Sequence, residues 1–67
     1  MRVVIQDRKS RLYFKGTSEW IAEINEAEDF EQIVKAIDFL RQTRLPHIDV
    51  LMHFDDPKYD VRLTATS

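Results

Sequence analysis

Residues 47–65, HIDVLMHFDDPKYDVRLTA, constrain the folding of this 67-residue chain more than any other stretch. Its first half alternates with period two: Ile48, Val50, Met52 and Phe54 point one way, and His47, Asp49, Leu51, His53 and Asp55 the other. The second half alternates likewise, with Tyr59, Val61, Leu63 and Ala65 on one side. Between them DDPK reads as a turn, with Pro57 suited to its second position. Two registers keep the alternation. A four-residue loop pairs Met52 with Val61 and Val50 with Leu63, and sets His53 opposite Asp60. A two-residue loop sets Asp55 against Asp60 instead, and like charges facing across a strand pair are unfavourable. The four-residue loop is the expectation.

Two further short β-type runs, RVVIQD and RLYFK, flank RKS as a hairpin with a basic tip, and Gly16 punctuates the second. Trp20, Ala22 and Ile24 alternate as a third strand. From Ala27 onward, Ala27, Phe30, Ile33, Val34, Ile37 and Leu40 fall within an arc of roughly 140° on a helical wheel. Asn25 and Glu28 stand at capping-box positions, so a helix is expected from about residue 25 until Pro46 stops it. Glu26, Glu28, Asp29 and Glu31 then lie near its start and Arg41 and Arg44 near its end, as the helix dipole favours. The expected fold is one α+β domain over residues 1–67, ordered β-β-β-α-β-β: a mainly antiparallel sheet of about five strands with one helix on one face.

So small a chain buries a modest core and needs a further source of stability. Cysteine is absent, which removes disulfides, thiolate metal sites and cysteine nucleophiles and fits a cytoplasmic location. A hydrophobic content of 43% with 33% charged residues belongs to a globular domain rather than a disordered tail. No apolar run approaches the roughly 18 residues of a membrane span, so no membrane is expected as a partner. Oligomerisation is the remaining source of stability.

His47 and His53 with the neighbouring aspartates raise the question of a metal. The two histidines lie about 20 Å apart along an extended strand and cannot share one ion. A metal-dependent enzyme around His53 would combine it with Asp55 and Asp60, a weak ligand set, so a solvated strand face is the preferred reading. Ser10, Ser18 and Ser67 lack a glycine elbow, and one glycine cannot build a phosphate-cradling loop. The chain is expected to be non-catalytic, with no cofactor and no metal.

Two partner classes remain. On the sheet face away from the helix, Val4, Tyr13, Ile21 and Leu51 form a band framed by polar residues, the pattern of an interface. Phe39 falls among the polar residues of the helix and joins them as a candidate contact. The primary expectation is an interaction or accessory module, homodimeric or bound to another protein, with Arg2 and Arg62 of one copy approaching Asp49 and Asp60 of the other. The alternative is a nucleic-acid-binding regulator using Arg8, Lys9, Arg11 and Lys15. Residues 1–15 carry five of the ten basic side chains against one acid, and phosphate binders concentrate cations in this way.

Overall fold

The structure is a computed structural model that describes residues 1–16 and 19–64. Five strands form one antiparallel sheet: β1 (Arg2–Asp7), β2 (Tyr13–Lys15), β3 (Glu19–Ile21), β4 (Ile48–His53) and β5 (Val61–Thr64). Their spatial order is β3-β2-β1-β4-β5. A single helix, α1 (Ile33–Thr43), links β3 to β4 and packs on β1 and β4. The α+β class, the element order and the single covering helix all match the sequence expectation.

The expected register of the last hairpin is also present. Met52 pairs with Val61 and Val50 with Leu63. Asp56 accepts a hydrogen bond from the Lys58 N–H, with Pro57 opening a one-turn 3-10 helix over Pro57–Tyr59. Asp60 closes the turn from the other side, accepting the Phe54 N–H at 2.8 Å on Oδ1 and meeting His53 Nδ1 at 2.8 Å on Oδ2.

The helix begins later than its periodicity suggests. Residues 24–26 form a 3-10 turn, and the backbone from 28 to 30 bonds to the sheet rather than to itself. The Glu28 N–H donates to Phe14 O at 2.9 Å and the Phe30 N–H to Val3 O at 2.8 Å. Asp29 Oδ1 accepts from the N–H groups of Val3 and Glu31 at 3.0 and 2.8 Å, and Glu31 takes a positive φ of 67°. Val3 bonds to this strap several residues beyond the register pair Gln6–Tyr13 that joins β1 to β2. A helix from residue 25 would forfeit these bonds, and buried backbone groups are costly to leave unpaired. The acidic block therefore precedes α1, whose first turn holds no acid, while Arg41 does lie in its last turn. Arg44 ends the helix in the left-handed region at φ 52°, its N–H bonding Leu40 O at 2.8 Å. The third strand is correspondingly shorter than expected, because Ile24 belongs to the 3-10 turn. Ser18, Ala65 and Ser67 lie outside the described residues.

The shorter helix presents a different face. Val3, Ile5, Phe14, Ala36, Ile48 and Val50 form the main core, with Trp20, Phe30, Ile33, Phe39 and Leu40 packed against it. Phe14 is its aromatic centre, with ring centroids 4.8 Å from Phe39, 5.6 Å from Trp20 and 6.2 Å from Phe30. Phe39, expected on the polar side, thus fills the space above β2; Val34 and Ile37, expected inside, are exposed. Ala36 explains the rotation, since its small side chain lets the helix approach the sheet and brings Phe39 over Phe14. A helix this narrow cannot also cover β5, so Tyr59, Val61 and Leu63 are exposed rather than buried.

Phe39→Ala should cost about 3 kcal/mol in urea unfolding, a large share of the stability of so small a chain. Lys35→Ala, exposed on the same helix, should stay within about 0.5 kcal/mol. Equal effects of the two would return Phe39 to the surface.

Candidate functional site

The sheet face opposite α1 is not the open apolar surface expected. Residues 24–27 fold beneath it, so that Ala27 covers Val4 and Leu51, with Tyr13 and Ile24 packed alongside. Val4 is 0% and Leu51 6% exposed, while Tyr13 and Ile21 are half-buried. The strap has taken the place that a partner was expected to fill. Phe39 lies in the main core on the other face.

Beyond the strap the same face turns polar and charged. Antiparallel partners share a face, and Gln6 pairs with Asp49, placing both in this layer. Leu51 pairs with Arg62 and so brings Arg62 onto the same surface from β5. The turn after β1 supplies two more arginines. Asp7 organises it, accepting the Arg11 N–H on its carbonyl and the Lys9 N–H on its carboxylate. Arg11 sits at φ 64°, a left-handed turn position that no glycine fills. The Arg8 N–H bonds His47 O at 2.8 Å, fixing the turn against the entry to β4.

Gln6, Arg8, Arg11, Asp49 and Arg62 thereby line an open concavity of about 340 Å³. Asp49 is its keystone at 1% exposure. One carboxylate oxygen takes Arg8 Nη1 at 2.7 Å and the other takes Arg62 Nη1 at 2.8 Å. Burial pulls the Asp49 carboxyl upward, but the hydrogen bonds from Arg62 and Arg8 outweigh it and hold the group below its ordinary value. The sequence expectation gave Arg62 an acidic partner in a second copy; the ion pair to Asp49 forms within one chain. Arg2 likewise turns inward, Nη2 donating to Ala27 O and so pinning the strap.

Charge does not cancel in the concavity. Three guanidinium groups face one carboxylate, and among the described residues Arg11 forms no ion pair. Gln6 is 4% exposed; its Nε2 donates to Arg11 O at 3.2 Å, while Oε1 is buried without a partner.

Of the four basic residues singled out from the hairpin, the structure brings Arg8 and Arg11 together. Lys9 is exposed at the turn, and Lys15 is exposed on β2, paired with Glu19 of β3. Sequence reasoning put Gln6 and Asp49 on this face as part of the polar frame of the apolar band, and did not foresee Asp49 as a buried centre. A signal existed: an aspartate midway along an apolar strand is unusual unless a cation reaches it. His53 and Asp60 meet as expected, and among the described residues no three His, Asp or Glu side chains converge as a metal-ligand group. No described helix is long and apolar enough to cross a membrane.

Comparison with protein-family models, curated proteins and solved structures finds no match to this chain.

Three aspartates anchor the loops, and acid should release them. The Asp29 carboxyl is held below its usual value chiefly by the Val3 N–H, and Asp60 chiefly by the Phe54 N–H and then His53. With Asp49 also lowered, the stability they contribute is present above the unfolded value near 3.9 and is lost as pH falls through the folded values. Urea midpoints should therefore drop from about pH 5 to about pH 3. Asp60→Asn should be less stable at neutral pH and show a shallower acid decline; an unchanged slope would remove Asp60 from this account.

Proposed function

We propose that this protein is a non-catalytic association module that pairs with a second copy of itself along β5. The observation carrying this reading is an apolar edge that no described residue covers. Val61 and Leu63 are 42% and 40% exposed on the helix-side face, on a strand at the end of the sheet. Tyr59 is exposed just before them. Ile37 lies roughly 160° around the helix from Phe39, and Phe39 leans on β2, so Ile37 faces the β4–β5 side. Val34, one turn earlier, is also exposed.

The two sheet edges are not equivalent. β3 is three residues long and begins with Glu19, features that protect an edge from pairing. β5 reads VRLT, with no proline, and its single charge, Arg62, is committed to Asp49. An exposed, unblocked and apolar edge is a template for another strand. A second copy is favoured as the occupant because a two-fold contact places each apolar shoulder beside its own image.

Charge selects the register. Paired strands keep facing residues on one side, so the two-fold axis passes through Arg62 or through a residue of the other face. Centring on Arg62 sets guanidinium against guanidinium, which is unfavourable. Centring on Leu63 sets Leu63 against Leu63 and Arg62 against Thr64, and extends two five-stranded sheets into one. The absence of cysteine suits a reducing compartment, and we place the module in the cytoplasm.

A nucleic-acid-binding role is the second reading, supported by the approach of Arg8 and Arg11 to Arg62. It is weaker because Lys9 and Lys15 do not line the same concavity.

Sedimentation equilibrium tests the association. The wild type is expected to dimerise at micromolar concentration. Leu63→Lys should weaken the dimer by about 3 kcal/mol, roughly a hundredfold, since two buried leucines are lost and two charges oppose each other. Lys35→Gln serves as the control. A monomeric wild type overturns the proposal, and a dimer indifferent to Leu63→Lys moves the contact off β5.

A further inference from the structure

The basic concavity on the opposite face has properties that an association module does not need. One arginine on each oxygen is enough to hold the buried carboxylate. Here Asp49 holds two, and a third, Arg11, stands beside them without an acidic partner among the described residues. The side chains of Arg8 and Arg62 are 35% and 42% exposed although their carboxylate partner is buried. Asp49 thus acts from beneath as an anchor that orients two guanidinium groups toward the opening. Each guanidinium carries five N–H donors and the ion pairs use one Nη1 apiece, so donors remain on every arginine. Three cations over one anion leave a local excess of two positive charges.

A second observation points the same way. Gln6 Oε1 is a buried acceptor with no partner, although the Nε2 of the same amide is satisfied by Arg11 O. Because Nε2 must face that carbonyl, the orientation of the amide is fixed and Oε1 is an acceptor awaiting a donor. Arginine cannot be lost as a cation at any ordinary pH, and its planar fork matches the oxygens of a phosphate.

We propose that Arg8 and Arg62, oriented by Asp49, together with the neighbouring Arg11 bind a small phosphate monoester whose neighbouring hydroxyl donates to Gln6 Oε1. The dianion matches the local charge excess. The volume, about 340 Å³, suits a compact metabolite-sized molecule and lies at the lower end of ordinary ligand pockets. A bare phosphate satisfies the arginines and leaves Gln6 unpaired; a polyol phosphate satisfies both. The site is open rather than enclosed, and its one carboxylate, Asp49, is buried and held by two arginines, so it serves recognition. It does not depend on pairing along β5, because it is formed within one chain.

Two-dimensional NMR titration of the full chain tests it, reading the arginine Nε–H and glutamine side-chain amide signals. The probes are inorganic phosphate, glycerol 3-phosphate and a short single-stranded oligonucleotide. Glycerol 3-phosphate is expected to shift Arg8, Arg11, Arg62 and Gln6 saturably, and to bind at least about tenfold more tightly than inorganic phosphate. Arg11→Gln should weaken it by about tenfold or more, while Lys35→Gln, on the helix side, leaves it unchanged. Arg11→Lys, which keeps the charge and loses the fork, should bind with intermediate affinity, so the proposal stays testable if the glutamine variant folds poorly. Equal affinity for both phosphates, an adventitious ion only, overturns it. So do the absence of saturable shifts at these four residues, and tighter oligonucleotide binding that spreads to Lys9 and Lys15, which establishes a nucleic-acid surface instead.

Discussion

The antiparallel ladder between β1 and β4 runs from Arg2 opposite His53 to Asp7 opposite Ile48, and every other element is placed relative to it. It joins the start of the chain to its second half, so α1 and the strap must be threaded between the two. Six consecutive pairs bring Val3, Ile5, Ile48 and Val50 onto one face, where they are nearly inaccessible to solvent. The same pairing brings Val4, Gln6, Asp49 and Leu51 onto the other. Both faces of this central pair are buried, and they are buried by different means. One lies under a helix and the other under a non-helical strap joined to a charged cluster.

That asymmetry organises the functional surface. On the helix side a single short helix is wide enough for β2, β1 and β4 and leaves β5 bare. On the strap side the covering ends at Ala27, and the next buried position along the ladder, Asp49, is a carboxylate. A buried carboxylate stays ionised only if cations and hydrogen bonds meet it. Arg8 and Arg62 do so from the strands' two flanks, and their heads lie where solvent begins. The polar concavity is thus a consequence of burying Asp49, and the apolar shoulder a consequence of the helix's limited reach. The two surfaces share Arg62 and β5 but present opposite chemistry.

Much of the fold is legible where period two is clean. The last hairpin is the clearest case: alternation admits two registers, and the charges of Asp55, Asp60 and His53 choose between them. The helix is legible in existence but not in its start. Ala27, Phe30 and Ile33 fit the wheel, yet Ala27 and Phe30 belong to the strap and serve opposite faces of the sheet. Periodicity cannot distinguish a helical turn from an extended segment that crosses between faces, because both place apolar residues three apart. The mistaken start then rotated the expected stripe, which turned Phe39 outward and Val34 inward.

What the sequence determined by itself was therefore local: the alternating strands, the turn at Asp56 and Pro57, the helix stop before Pro46, and the His53–Asp60 pairing. These follow from steric preference and from neighbours a few residues apart. The tertiary structure alone decided which apolar face stayed open and where the arginines met. Val3 accepts and donates bonds with residues more than twenty positions away, and so diverts the strap from helix to sheet. Asp49 draws Arg8 from one side and Arg62 from the other. Such long-range satisfaction of buried polar groups leaves no periodic trace in the sequence, since its partners are fixed by the ladder and not by spacing.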